Sequence, residues 1–121
     1  MTQSPVADLI GNDLNIAVAM ADGHAVRRST LEHAPGIHEQ WPGGNWEWIR
    51  QPSTAWEHGG PIIEREGIEL TPSAEGTWYA LWIADRDSDT SPTSSAERFT
   101  PLVAAMRAYV ASKFGETIDL P

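Results

Sequence analysis

The chain has no cysteine among its 121 residues, which excludes disulfides and thiolate metal sites. It is also poor in positive charge. Lysine and arginine number 8 against 17 acidic residues, a net charge of −9. Nonspecific nucleic-acid binding needs cations to displace counterions from phosphates, and this balance argues against it. The same balance favours solubility or docking onto a basic partner. No apolar run approaches the ~20 residues needed to span a bilayer. The opening residues, MTQSPVADLIGND, place no basic group before their apolar ones, so no secretory signal is expected. A cytoplasmic location follows by default. The HExxH and GxSxG signatures of hydrolytic enzymes are missing too.

Tryptophan is what the chain has in quantity, with six. Its large amphipathic ring builds small cores and also marks interfaces and stacking sites. At this length one domain, residues 1–121, is expected. Asn12 is placed to cap a helix from Asp13 to about Asp22, with Gly23 as its stop. Leu14, Ala17, Val18 and Ala21 share a face of it at helical spacing. Residues 24–28 read as a short strand. The Pro- and Gly-rich stretch LEHAPGIHEQWPGG reads as a loop. In NWEWIRQ, Trp46 and Trp48 fall on one side of a strand. Ser53 or Thr54 starts a single helical turn that ends at Gly59-Gly60.

Gly67–Leu70 reads as a strand, TPSAEG (71–76) as a turn, and Thr77–Ile83 as a strand apolar on both faces, hence central and covered twice. The Trp46 strand is a candidate third member of that sheet. Asp85–Arg98 is polar and of low complexity, a mobile loop. Thr100, Pro101 and Gly115 bound a final helix. The fold class expected is α+β: a small antiparallel sheet of about three strands packed with an N-terminal and a C-terminal helix.

That final helix, TPLVAAMRAYVASKFG, carries one charge in its middle, Arg107, among apolar and small residues. A helix apolar all round is buried. Its alanine face, Ala104, Ala108 and Ala111, admits another helix closely, either the first helix or the same helix of a second copy in a homo-oligomer. Arg107 then pairs with a carboxylate of the chain, or clamps an anion with its rigid donor fork. Gly59-Gly60 is a tight turn, either empty or cradling an anion with its amides. Trp56, His58 and Arg65 flank it. Asp85, Asp87 and Asp89 lack the glycine and glutamate of a calcium loop. His33 and His38 match no metal template well, and His24 stands alone.

Three segments in order are LIGNDLNIAVAMADGH, PSTAWEHGGPIIEREGIEL and TPLVAAMRAYVASKFG with its acidic tail and final proline. Together they resemble the NinX-like family of small phage and prophage proteins. His33–Trp48 and Asp85–Arg98 fall outside the likeness. The resemblance implies a phage or prophage origin and action in a bacterial cytoplasm, and it transfers no catalytic residues. Small accessory phage proteins often counter host defences, in one strategy by an oligomer that sequesters a nucleotide immune signal; this is an analogy of context. On that analogy the chain is a non-enzymatic binder of a small anionic ligand such as a nucleotide, without cofactor or metal. Trp56 or Tyr109 would stack on the base. Arg65, Arg107 and the amides of Gly59 and Gly60 would hold phosphates. The alternative is an acidic interaction module that inhibits a basic host protein.

Overall fold

The computed structural model describes residues 3–29, 36–72, 78–82 and 100–121 of the chain. The fold is α+β. Strand β1 (Gln3–Pro5) and a 3-10 turn (Val6–Asp8) lead into α1 (Gly11–Ala21). Strands β2 (Ala25–Ser29), β3 (Gly36–Gln40) and β4 (Trp46–Trp48) follow, then α2 (Trp56–Glu66), β5 (Ile68–Pro72), β6 (Trp78–Trp82), α3 (Pro101–Phe114) and β7 (Thr117–Asp119). Among the described residues the strands pair as β1 with β7, as β2-β3-β4, and as β5 with β6, all antiparallel.

The last helix forms as its ends foretell. The Thr100 hydroxyl accepts the Val103 amide at 3.3 Å, Pro101 takes the first helical position, and Gly115 leaves the helix at φ 85°. Every residue from Leu102 to Val110 is buried. Within the chain α3 packs against α1, α2, β5 and β6. Ala104 and Ala108 are thus covered in the single chain, as part of the core that also holds Leu14, Val18, Ile62, Ile68 and Ala80.

Four expectations are corrected. Asn12 does not cap α1; the helix starts two residues earlier than expected, at Gly11, and its N-cap Ile10 makes no side-chain cap bond. The loop expected over 31–44 contains β3, because Gly36–Gln40 gains partners on both sides, β2 and β4. The strand containing Trp46 joins those two strands and not the β5–β6 pair. Strand β6 is not central among the described strands, since β5 alone pairs with it there, and Tyr79 is exposed. Of the turn expected over 71–76, Thr71 and Pro72 belong to β5 and 73–76 lie outside the described residues, as do His33 and the polar loop over 85–98.

The largest departure is α2. Gly59, Gly60 and Pro61 read as breakers, yet all three lie inside one helix that ends only at Gly67, in the left-handed conformation with φ 65°. Pro61 faces outward on the exposed side. Gly60 removes the Cβ that would otherwise clash with the proline ring in helical backbone. Gly59 is there for proximity. A Cβ on it would stand 2.6 Å from Leu102 Cδ2 and 2.6 Å from the Pro52 carbonyl oxygen. The leucine end can yield; the backbone carbonyl cannot. Gly59→Ala should therefore destabilise by about 1–3 kcal/mol through overpacking, although alanine gains up to ~1 kcal/mol in helix propensity. Gly60→Ala meets no neighbour beyond the adjacent proline ring; helix propensity offsets that crowding, and the variant should stay within ~1 kcal/mol of the parent. Urea midpoints of the two variants check this; equal midpoints would contradict the close crossing of α2 and α3.

Candidate functional site

Five elements deliver polar side chains to one place. The C-terminal end of α1 supplies Asp22 and, just past it, His24. Strand β3 supplies Glu39, the second residue past the end of β4 is Arg50, the last turn of α2 supplies Arg65, and α3 supplies Tyr109. Glu39 is fully buried. Its carboxylate receives the Arg50 backbone amide at 2.7 Å, Arg50 Nη2 at 2.9 Å, Arg50 Nε at 3.1 Å and His24 Nδ1 at 2.6 Å. Arg50 Nη2 also donates to Asp22 at 2.8 Å. The other oxygen of Asp22 accepts Arg65 Nη2 at 2.8 Å and the Tyr109 hydroxyl at 2.5 Å. Arg65 Nη2 further donates to the Tyr109 oxygen at 3.1 Å, and Arg65 Nε to Glu66 at 2.8 Å.

The electrostatics follow from these contacts. Burial pushes the carboxyls of Asp22 and Glu39 up, but donated hydrogen bonds outweigh it and hold both below the ordinary carboxylate range. For Asp22 the donors are Tyr109 and Arg50, with the charge of Arg65 adding to them; for Glu39 they are Arg50 and His24. Both acids are ionised, and Glu39 can only accept hydrogen bonds. Burial and the neighbouring Asp22 carboxylate push the Tyr109 hydroxyl up, so it stays protonated as a donor. Asp22 sits at a helix C-terminus, where the macrodipole disfavours negative charge; two arginines offset this.

Beside the network opens a cleft of about 830 Å³ between the β4 edge and α2. Trp41, Trp46 and Trp48 line one side, and Glu57, His58, Pro61 and Arg65, at helical spacing along α2, line the other. The Arg50 guanidinium lies 4.8 Å from the Trp41 ring centroid, and Arg27 lies 4.3 Å from that of Trp46. The His24 ring packs on Trp41 at 4.7 Å. Trp48 packs on His38 and lies across Gly36, whose φ of 117° and lack of a Cβ admit the indole. A smaller pocket of about 270 Å³ adjoins the cleft, sharing Trp41, Arg50 and Arg65 with it and lined further by Asp22, His24, Glu66 and Tyr109.

Of the residues singled out in the sequence, Arg65 and Tyr109 come together here. Trp56 begins α2 and is exposed, but lines neither pocket. Gly59 and Gly60 do not form an anion cradle: they are helical, and the Gly59 amide donates to the Ala55 carbonyl at 2.9 Å. Arg107 is 3% exposed, and its Nε donates to the Leu9 backbone carbonyl at 2.8 Å. It lines neither pocket. The sequence reading missed Asp22, His24, Glu39, Trp41 and Arg50. No local spacing links them; only the tryptophan excess hinted at the cleft. Among the described residues no group of three histidines or acids is arranged to hold a metal ion, and no helix is long and apolar enough to cross a membrane.

A family model described as Bacteriophage P22, NinX matches residues 5–113. No curated protein matches the sequence.

Proposed function

The chain therefore belongs to the phage P22 NinX family, and we propose that this phage accessory protein binds a small nucleotide-class ligand in its tryptophan cleft and holds it unchanged. The observation that carries the reading is the cleft, whose volume is that of small-ligand sites and whose wall is three indoles. Flat aromatic faces stack on any base. Arg65 is the arginine of the network that solvent reaches, its side chain 49% exposed. A phosphate meets it at the junction of the two pockets, not at Gly59 or Gly60. Sequestering a nucleotide signal in the bacterial host cytoplasm is the role proposed for such binding. It needs no catalytic group.

Binding to the folded state raises the melting temperature by mass action, with about 2.7 kcal/mol of added stability at a hundredfold excess over Kd. A panel of mononucleotides, cyclic nucleotides and ADP-ribose-type compounds should contain at least one that does so. No shift across the panel, with no nucleotide released from denatured protein of infected cells, would sink the proposal. A released ligand chemically altered by incubation would make the chain an enzyme instead.

One observation favours a second reading. Trp48 is 64% exposed and Trp56 more than half exposed, each followed or preceded by an exposed acid, Glu47 and Glu57. On a chain of charge −9, such a rim suits docking onto a basic host protein. That reading requires an affinity for a host protein that falls steeply with salt and ignores nucleotides.

A further inference from the structure

Two histidines face the paired pockets with hydrogen-bond polarities fixed from behind, and the polarities are opposite. His58 Nδ1 accepts the Gln51 backbone amide at 3.0 Å. The ring proton must then sit on Nε2, which makes His58 a donor in the large cleft. His24 Nδ1 lies 2.6 Å from Glu39. Glu39 is ionised and already receives the Arg50 fork, so Nδ1 must donate. In the neutral ring this leaves Nε2 a bare acceptor. The His24 side chain is 9% exposed, it lines the smaller pocket, and Nε2 has no partner among the described residues. Glu39 and Arg50 lock the ring much as a buried carboxylate fixes a ligating or catalytic histidine.

The charges around the smaller pocket point the same way. Asp22, Glu39 and Glu66 stand against Arg50 and Arg65, and both arginines already carry carboxylate partners. A phosphate entering this pocket would meet acids whose donors are taken. A hydroxyl or amino group would find acceptors.

We propose that the smaller pocket is a sugar subsite. A nucleoside's base lies in the tryptophan cleft against the His58 donor, and its sugar hydroxyls donate to His24 Nε2. This rests on the reading of the cleft as a nucleotide-class site and adds which end of the ligand goes where. Any phosphate stays outside, toward Arg65.

Calorimetry at pH 8 with the four common free bases, their nucleosides, their 2′,3′-dideoxynucleosides and their 5′-monophosphates tests it. For the base that fits, the nucleoside should bind about tenfold tighter than both the free base and the dideoxynucleoside, the effect of one satisfied buried hydrogen bond. His24→Leu should erase that difference while the free base binds within about twofold of its parent affinity. His24→Gln, which can bond Glu39 and still present an amide oxygen, should restore part of it and guards against a folding defect. A dideoxynucleoside that binds as tightly as the nucleoside overturns the subsite and leaves base binding in place. So does a tenfold preference that survives His24→Leu, or a monophosphate advantage that His24→Leu removes. If nothing in the panel binds, the sugar subsite fails, and a melting shift with a cyclic or ADP-ribose-type nucleotide then decides whether the cleft's nucleotide reading fails with it.

Discussion

Arg107→Ala should destabilise the fold by about 3–5 kcal/mol, the range of large-to-small core substitutions. It should leave the tryptophan cleft's ligand affinity unchanged in protein that remains folded. The residue is buried at the middle of α3 and donates to the Leu9 carbonyl, just before α1 begins. Alanine removes the packing volume and withdraws that donor from a buried carbonyl, an omission that alone costs about 1–3 kcal/mol. Arg107→Met restores most of the volume without the donors, so its loss should be smaller than that of the alanine variant. Denaturant titration of the two variants separates packing from hydrogen bonding. Wild-type stability in the alanine variant, or a lost ligand response in the folded methionine variant, would return Arg107 to the role of an anion clamp.

Arg50→Ala should cost a similar amount, about 3–5 kcal/mol, by a different route. It strips Glu39 of three side-chain contacts and one wall of the cleft, and it takes a partner from Asp22. Asp22 keeps Arg65 and Tyr109, whereas Glu39, left with His24 and a backbone amide, remains buried without its cation. The loss carries a pH signature. In the wild type both acids are depressed below their ordinary values of 3.8 and 4.5. Their contribution is full above those values and fades as pH falls through the folded ones. The variant lacks that contribution, and its acids relieve their penalty by taking protons. The stability gap between wild type and Arg50→Ala should therefore be widest near neutrality and narrow on acidification. A gap independent of pH would mean that Arg50 acts by packing on Trp41 and not by charge. Arg50→Lys should recover little, because a single ammonium cannot span both Glu39 oxygens and Asp22 as the fork does.

These two arginines show what a sequence does and does not disclose. Helix α3 was legible because its limits are local: a capping threonine, a proline in the first turn, a glycine at the end. That Arg107 would be buried was legible too, since the other charge on the helix, Lys113, lies in its last turn. Its bond to the Leu9 carbonyl was not, because Leu9 is distant in the chain and offers only a backbone group. Helix α2 was hidden by Gly59-Gly60-Pro61, residues that ordinarily break helices. Here each answers a tertiary demand: close approach to Leu102, relief beside the proline ring, and an outward face. Strand β3 was hidden by the glycines and prolines around it, and pairing on both sides overrode them. The network was the least legible part. Asp22, Glu39, Arg50, Arg65 and Tyr109 lie on separate elements, and Asp22, Glu39 and Arg50 each alone look like an ordinary surface residue.

The pairing of β1 with β7 sets the order of events during synthesis. Gln3 faces Asp119 and Pro5 faces Thr117, so β1 waits for β7. While the chain is still on the ribosome, α1 and the β2-β3-β4 sheet can form from what has emerged, but the ring of backbone cannot shut. Shutting it costs roughly 4 kcal/mol of loop entropy for a span of this size, which slows the final step. Joined head to tail by a short linker, the chain would begin with that step already taken. It could then be opened at another surface loop, to give a circular permutant with new ends and the same cleft.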